Sequence, residues 1–204
     1  GATKSLAASY DIDNSLRFND PDDPYLSRTF STGNRTTYTL SCWVKGSLAN
    51  AADEGYIFSS AVFGSGASNT KLLYIRVESD WTIRIAHDSG TFLITTQVFR
   101  DPSAWYHIVM AVDTTQSTEA DRIKLYVNGE QVTAFGTENY PAEDANTGIN
   151  AAQLHYVGTS YTAATNKSLE GYLAETYFID GTALAADSFG ETSSTTNQWI
   201  PLDS

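Results

Sequence analysis

The chain has 204 residues, of which 41% are hydrophobic and 12% aromatic, so it can bury a sizeable core and is not expected to be intrinsically disordered. Its net charge of −12, from 24 acidic and 12 basic residues, argues against nucleic acid or an anionic membrane as a partner, because both require a basic surface. No apolar run reaches the length of a membrane span, and a lone cysteine excludes an intramolecular disulfide.

Short strand-like runs follow one another along the whole chain, separated by turn residues at 20–24, 31–34, 64–67 and 100–102. The predicted strands are 15–18, 25–29, 36–45, 55–61, 71–78, 81–88, 92–99, 105–113, 123–127, 130–133, 153–158 and 171–180. One helical turn is predicted at 185–188. A dozen short strands with almost no helical periodicity predict an all-β, two-sheet antiparallel sandwich of the jelly-roll kind.

Two strands in the middle of the chain carry the clearest signals. The run 105–113 is apolar on both faces, which predicts a strand inside the sandwich, whereas 123–127 alternates apolar and polar residues like a half-buried strand. Asn128 and Gly129 follow it, and this dipeptide favours a type I′ hairpin turn. Cys42, between Leu40 and Val44 on one strand face, is expected to be a core residue.

Three predicted loops, 47–54, 114–121 and 136–150, are long for such a fold, and long loops in compact domains are often functional. The tail 192–204 is rich in Ser and Thr but contains the apolar run 199–201. We expect this tail to pack against another segment or to continue into one, so that residues 1–204 form one module of a longer protein.

Several of these segments resemble one known family. The runs WYHIVMAVD (105–113) and IKLYVNGEQV (123–132) are similar to the core signature of laminin-G-like, concanavalin A-like domains, and 38–45 and 171–180 extend the similarity. The resemblance covers roughly 12–190 and implies a concanavalin A-like jelly roll. The C-terminal runs 177–184, 187–191 and 199–201 look most like copies of this domain in structural proteins of tailed bacteriophages.

Because concanavalin A-like folds include glucanases, a hydrolase has to be considered. Retaining glycosidases need two carboxylates about 5 Å apart, which the glucanase pattern Glu-x-Asp-x-x-Glu supplies from one strand. Here Glu78 and Asp80 are followed by Ile83 in place of the last Glu, and Glu119 and Asp121 are followed by Lys. The sequence therefore predicts a protein that is not an enzyme.

Calcium is the metal that the resemblance and the loop carboxylates suggest. Some laminin-G-like domains bind calcium at the rim of the sandwich, and calcium prefers six to eight oxygen ligands on loops. The candidate ligands are Asp53, Glu54, Asp113 and Asp121, with Glu119 beside the last of these. The alternative is that these carboxylates are simply solvated.

Aromatic side chains are the candidates for sugar binding, because the face of a pyranose ring stacks on Trp or Tyr. Tyr74, Trp81 and Tyr161 are predicted to be exposed, with His87 and Asn69 nearby in sequence. The alternative is that these aromatics belong to the core. His107, next to Trp105 and Tyr106, is expected to be packed or hydrogen-bonded rather than a ligand.

The leading hypothesis is a non-enzymatic module of a virion, displayed on a capsid, spike or tail fibre, that serves assembly or attachment to host-surface glycans. Its expected partners are other virion proteins, cell-surface glycans and further copies of itself, at the virion surface or outside the cell. The alternative is a calcium-dependent carbohydrate-binding lectin domain outside any virus.

Overall fold

A computed structural model describes residues 12–46, 54–60, 73–87, 90–161 and 166–202. These residues form two large antiparallel sheets and two small two-stranded ones. The six-stranded sheet has the order β1 (Leu16–Phe18), β15 (Gly171–Asp180), β3 (Thr37–Lys45), β8 (Trp105–Asp113), β9 (Ile123–Val127) and β10 (Glu130–Gln131). The seven-stranded sheet has the order β11 (Phe135–Glu138), β7 (Gly90–Thr95), β6 (Ile83–His87), β5 (Leu73–Val77), β4 (Gly55–Ser60), β12 (Leu154–Val157) and β2 (Leu26–Thr29).

The small sheets pair β13 (Thr159–Tyr161) with β14 (Asn166–Ser168), and β16 (Gly190–Thr192) with β17 (Trp199–Pro201). Short 3-10 turns lie at Asp20–Asp22, Glu119–Asp121 and Ala186–Ser188. No helix in the described parts of the chain is long and apolar enough to cross a lipid bilayer. The all-β, two-sheet antiparallel sandwich predicted from the sequence is confirmed.

One hydrophobic core fills the space between the two large sheets. Alternate residues of β3, β8 and β9 point into it, because successive side chains of a strand face opposite sides of the sheet. The opposing sheet contributes the inner residues of β4, β5, β6 and β7. Cys42 belongs to this core, and burial raises the pKa of its thiol to about 12, so its expected role as a small apolar residue is confirmed.

The hairpin prediction is confirmed at the backbone. Asn128 has φ of 51° and Gly129 has φ of 85°, the two positive values that a type I′ turn requires. The strands β8, β9 and β15 have the predicted bounds. The sequence did not predict β11, β13, β14, β16 or β17, which are only three or four residues long.

The outer face of the six-stranded sheet is partly covered by the C-terminal segment. The β16–β17 hairpin lays Trp199 against this face, where its ring would meet a Cβ added at Gly129 or Gly190. On the outer face of β8, His107 contacts Trp199 and Phe189 of this segment. The prediction that β8 lies inside the sandwich is confirmed, since the strand pairs with β3 on one side and with β9 on the other.

Candidate functional site: a tryptophan-lined cleft

One cleft in the described parts of the chain has a volume of about 920 Å³. Three tryptophans, Trp43, Trp105 and Trp199, contribute to its walls. The remaining lining comes from residues 12–15, from the β7–β8 connection, from the β9–β10 turn and from residues around Trp199. We call this feature the tryptophan cleft. Its volume lies at the upper end of the range of small-molecule sites, which run from about 300 to 1,000 Å³.

Trp199 is fixed by a hydrogen bond to the sheet. Its indole Nε1–H donates to Nδ1 of His107 over 3.0 Å, and Nε2 of the same histidine lies 2.9 Å from Oγ of Ser41. Since Nδ1 accepts, the ring proton of a neutral His107 must sit on Nε2, which donates to Ser41. The prediction that His107 is packed and hydrogen-bonded is confirmed.

The floor beneath Trp199 is aromatic and uncharged. Trp43 stacks on His107 with ring centroids 4.8 Å apart. Burial lowers the pKa of His107 to about 4, because the apolar surroundings disfavour the imidazolium form. At neutral pH this histidine is therefore neutral and adds no positive charge beneath the cleft.

The half-buried Trp105 begins β8 and forms a second wall. Its register partner on β3 is Lys45, whose Nζ lies 5.9 Å from the centre of one of the indole rings, a cation–π distance. Two hydrogen bonds tie the strand to the turn beside it: the His107 N–H donates to Oδ1 of Asn128, and the Asn128 N–H donates to the His107 carbonyl. Trp105 therefore stands on a well-anchored strand end.

Exposed amide side chains surround these tryptophans. Gln97, Gln131 and Gln198 all line the cleft and are solvent-exposed. A carboxamide offers two N–H donors and one carbonyl acceptor, a combination that matches the hydroxyl groups of a sugar. Indole surfaces provide the flat apolar contact that the C–H face of a pyranose needs. Chemically, the cleft can bind a sugar chain.

The predicted site residues of the seven-stranded sheet lie elsewhere. Tyr74 is only 8% exposed on the outer face of this sheet, where Tyr56 packs against its ring. Arg76 lies 5.2 Å from both tyrosine rings and forms ion pairs with Glu54 and Glu78. The expectation that Tyr74 is exposed was wrong, because the guanidinium and the second ring cover it.

Trp81 and His87 are half-buried and face other surroundings. Trp81, in the β5–β6 turn, packs on the main core, and its carbonyl accepts a hydrogen bond from the Phe99 N–H. His87 stacks on Phe92 and shares the core-facing side of the sheet with Leu73, its register partner. Tyr74 therefore points to the opposite face from His87, and the structure does not bring the two together. The side chain of Tyr161, Asn69 and the calcium candidate Asp53 lie outside the described residues.

Two of the candidate calcium ligands lie near each other. The Asp113 carboxylate accepts hydrogen bonds from Thr115 Oγ and from Gln116 Nε2, both over 2.6 Å. Asp121 pairs with Nζ of Lys124 over 2.9 Å, and this contact raises the pKa of the lysine, to which Asp113 adds a smaller effect. Asp121 thus already has a cationic partner, and Asp113 already accepts two side-chain hydrogen bonds. Within the described ranges, no three His, Cys, Asp or Glu side chains form a group that could hold a metal ion.

The sequence interpretation missed Trp105 and Trp199 as site residues. Alternation along β3 and β8 places three aromatic side chains on the outer face of the sheet: Trp43, Trp105 and His107. This alternation, visible in the sequence, could have indicated an aromatic surface outside the core. The part played by Trp199 depends on the path of the C-terminal segment. No local pattern in the sequence specifies that path.

Comparison with known proteins identifies the fold group. The family described as the concanavalin A-like lectin/glucanases superfamily matches residues 20–199. No curated protein matches the sequence. Among solved structures, a native heptameric SAP-like pentraxin from Limulus polyphemus is similar, with 18% identity, a TM-score of 0.56, and coverage of 84% of this chain and 76% of that one.

Two further similar structures are parts of glycan-active enzymes. Domain 4 of AbnA, an extracellular arabinanase from Geobacillus stearothermophilus in complex with arabinotriose, has 18% identity and a TM-score of 0.56, with 87% and 75% coverage of the two chains. The CBM40 of a Ruminococcus gnavus sialidase, bound to sialyllactose, has 13% identity and a TM-score of 0.53, with 81% and 96% coverage. The chain spans 22% of a similar sialidase from Trypanosoma rangeli. At these identities the likeness shows the fold alone.

Proposed function

The chain belongs to the concanavalin A-like lectin/glucanase superfamily, and from this membership we propose that it is a non-enzymatic module of a virion surface that attaches to host glycans. The observation that carries the glycan-binding part is the tryptophan cleft, in which three indoles and several exposed amides surround a volume of about 920 Å³. The carbohydrate-binding fold supports the same function, although fold alone does not fix it. The phage-type resemblance of residues 177–201 supports the virion setting.

A hydrolase is less well supported by the carboxylates of the described residues. Glu78, the nearest match to a glucanase carboxylate, lies 2.7 Å from Arg76 and 2.5 Å from Arg84, and Asp80 accepts hydrogen bonds from Thr82. The cleft itself contains Asp13 and Glu130, both solvent-exposed. A glycosidase acid needs a setting that keeps one carboxyl group protonated, usually an apolar one. We therefore propose binding without cleavage.

The test is a binding screen of the purified protein against bacterial surface polysaccharides and a glycan array. We expect a set of oligosaccharides to bind, and we expect the variant Trp105→Ala to bind them at least about tenfold more weakly, a loss of about 1.4 kcal/mol. The physical reason is the removal of a stacking surface from the cleft. Isothermal titration measures the affinity, and chromatography of the bound oligosaccharide checks that it is not cleaved.

Tyr25→Ala is the matched control, because Tyr25 is another partly exposed aromatic residue, at 47%, but lies outside the cleft. It should leave the affinity unchanged. Binding should also survive calcium chelation, since Asp113 and Asp121 already have partners and lie outside the cleft. Binding that requires calcium would favour the alternative of a calcium-dependent lectin. A folded protein that binds no glycan would reject glycan attachment and leave an assembly role on the virion.

A further inference from the structure

The charges that line the tryptophan cleft all have one sign. Asp13 and Glu130 lie in its wall, and the described lining residues include no lysine and no arginine. Both carboxylates are solvent-exposed and carry negative charge at neutral pH. Since the whole chain has a net charge of −12, the wider field adds to this local potential and does not oppose it.

One cationic residue, Lys45, is paired in register with a tryptophan of the cleft wall. Lys45 is the β3 partner of Trp105, and its ammonium group lies against the indole ring. Lys45 also makes a small contribution to lowering the pKa of Asp101, after the larger effect of hydrogen bonds from Ser103. His107, beneath the floor, is neutral at pH 7 because burial lowers its pKa to about 4. A bound anion would find no free positive charge among the described lining residues.

The polar groups of the cleft suit uncharged hydroxyls instead. The side-chain amides of Gln97, Gln131 and Gln198 have no hydrogen-bond partner within the part of the chain that the structure describes. Carboxylates such as Asp13 and Glu130 accept hydrogen bonds and cannot donate them when ionised. Sugar hydroxyls can donate to these carboxylate oxygens and accept from the amides. A ligand carboxylate can also accept from the amides, but it is repelled by Asp13 and Glu130.

We infer that the tryptophan cleft selects uncharged oligosaccharides and discriminates against sugars that carry a carboxylate, sulfate or phosphate where they contact it. The inference rests on the proposed glycan-binding function and specifies the ligand class of that same site. A volume of about 920 Å³ fits an oligosaccharide better than a single sugar, since small-molecule sites begin near 300 Å³.

The experiment compares oligosaccharides that share one sugar backbone but differ in whether they carry charged groups. Lactosamine oligomers are compared with their sialylated forms, and methyl-esterified oligogalacturonides with the free acids, together with a wider array of neutral and acidic bacterial glycans. We expect the neutral member of each bound pair to bind about tenfold more tightly at low salt. We also expect this preference to shrink in high salt, because at about 1 M ionic strength the screening length falls to about 3 Å.

A double variant tests whether the preference for neutral over acidic glycans arises in the cleft. Replacing both lining carboxylates, Asp13→Asn with Glu130→Gln, should lower the ratio of neutral to acidic affinity by about tenfold, because the local repulsion is removed. The control, Glu138→Gln with Asp144→Asn, removes two exposed carboxylates outside the cleft and changes the net charge equally. It should leave the ratio nearly unchanged. Both proteins are checked by circular dichroism for retention of the fold.

The outcomes separate the two proposals. If acidic members bind as tightly as their neutral counterparts at low salt, or more tightly, the inference is wrong while glycan binding stands. If the lining variant and the control change the ratio equally, the preference belongs to the net charge and not to the cleft, which also overturns the inference. If no glycan binds the folded wild-type protein, the proposed attachment function itself fails.

Discussion

His107 lies at the point where the six-stranded sheet holds the C-terminal segment. Its Nδ1 accepts a hydrogen bond from the indole N–H of Trp199, and its Nε2 lies within hydrogen-bond distance of Ser41. Its ring stacks on Trp43. Protonation would place a second N–H opposite the Trp199 donor, so the contact requires the neutral ring. The protonation state of His107 therefore bears on the position of Trp199 in the wall of the cleft.

Buried histidines should make the stability of this protein fall in acid. Burial lowers the pKa of His107 and of His155 to about 4, below the ordinary value of 6.5. Between those pH values the unfolded chain binds protons that the folded chain does not, so the free energy of unfolding falls as the pH drops from about 6.5 to 4. The loss should reach about 3 kcal/mol for each histidine. Urea unfolding at a series of pH values measures it.

The variant His107→Asn isolates one of the two contributions. The asparagine Oδ1 can take the place of Nδ1 and still accept from Trp199, but the side chain does not titrate. The stability of this variant should depend on pH about half as steeply as that of the wild type. If the pH dependence is unchanged in this variant, protonation of His107 does not cause the expected loss of unfolding free energy in acid.

The β9–β10 turn shows how one element couples the fold to the site. Gly129 has φ of 85°, and a Cβ at this position would lie 2.3 Å from the ring of Trp199. The sequence predicted the turn from Asn-Gly alone. It did not predict that the absence of a side chain also makes room for an indole from the C-terminal segment.

Replacing this glycine should therefore affect stability and binding together. Gly129→Ala forces an unfavourable φ on alanine, at a cost of about 1 kcal/mol, and also displaces Trp199 from its contact. Gly181→Ala is the matched control, because Gly181 has φ of 77° but nothing lies within 4 Å of its added Cβ. We expect Gly181→Ala to lose only stability, and Gly129→Ala to lose more stability and also glycan affinity. Chemical denaturation and titration with a bound oligosaccharide measure the two effects.

Equal behaviour of the two alanine variants would contradict the packing of Trp199 on the turn. In that case the backbone conformation alone would account for the loss. A stable Gly129→Ala protein with weakened glycan binding would instead show that the indole matters more for the cleft than for the fold.

The elements that the sequence predicted well are those with local signals. The strands β8, β9 and β15 have strong apolar patterns, and their bounds agree with the structure. The strands of the hairpins β13–β14 and β16–β17 are only three residues long, and their pairing depends on the surfaces beneath them. For example, the Thr159 carbonyl of β13 accepts a hydrogen bond from Ser59 of β4.

The candidate site was harder to predict because it depends on tertiary contacts. Tyr74 was expected to be exposed, yet Tyr56 and Arg76 cover it from the same sheet face. Trp105 was not among the predicted site residues, yet it lines a cleft on the outer side of the sheet. Alternation along a strand tells which residues share a face. It does not tell whether another segment covers that face.

At the scale of the whole molecule, one edge strand of each large sheet is connected to the other by a short segment of the described chain. β1 is the edge strand of the six-stranded sheet and β2 the edge strand of the seven-stranded sheet, and residues 19–25 join them. Leu16 on β1 is 54% exposed and Leu26 on β2 is 51% exposed. Exposed apolar edge strands favour pairing with another chain unless they are protected.

We therefore propose that copies of the chain associate along these edges. Light scattering after size exclusion should show an oligomer of the wild type at about 10–100 µM, within the range of moderate affinities. The double variant Leu16→Glu with Leu26→Glu should be monomeric, since it places like charges along the edges. Val98→Glu, at another exposed apolar residue, should not change the mass. A monomeric wild type would reject this mode of assembly.

The walls of the tryptophan cleft also bear on when during synthesis the protein can become active. Residues 12–15 and Trp199 line the same cleft although nearly the whole described chain separates them. Both large sheets are complete once Gly171–Asp180 has paired with its neighbours, but Trp199 has not yet emerged at that stage. A nascent chain held on the ribosome at that length would have a formed core and an unfinished cleft. If the cleft binds glycans as proposed above, that binding would require translation of β17, the strand that carries Trp199.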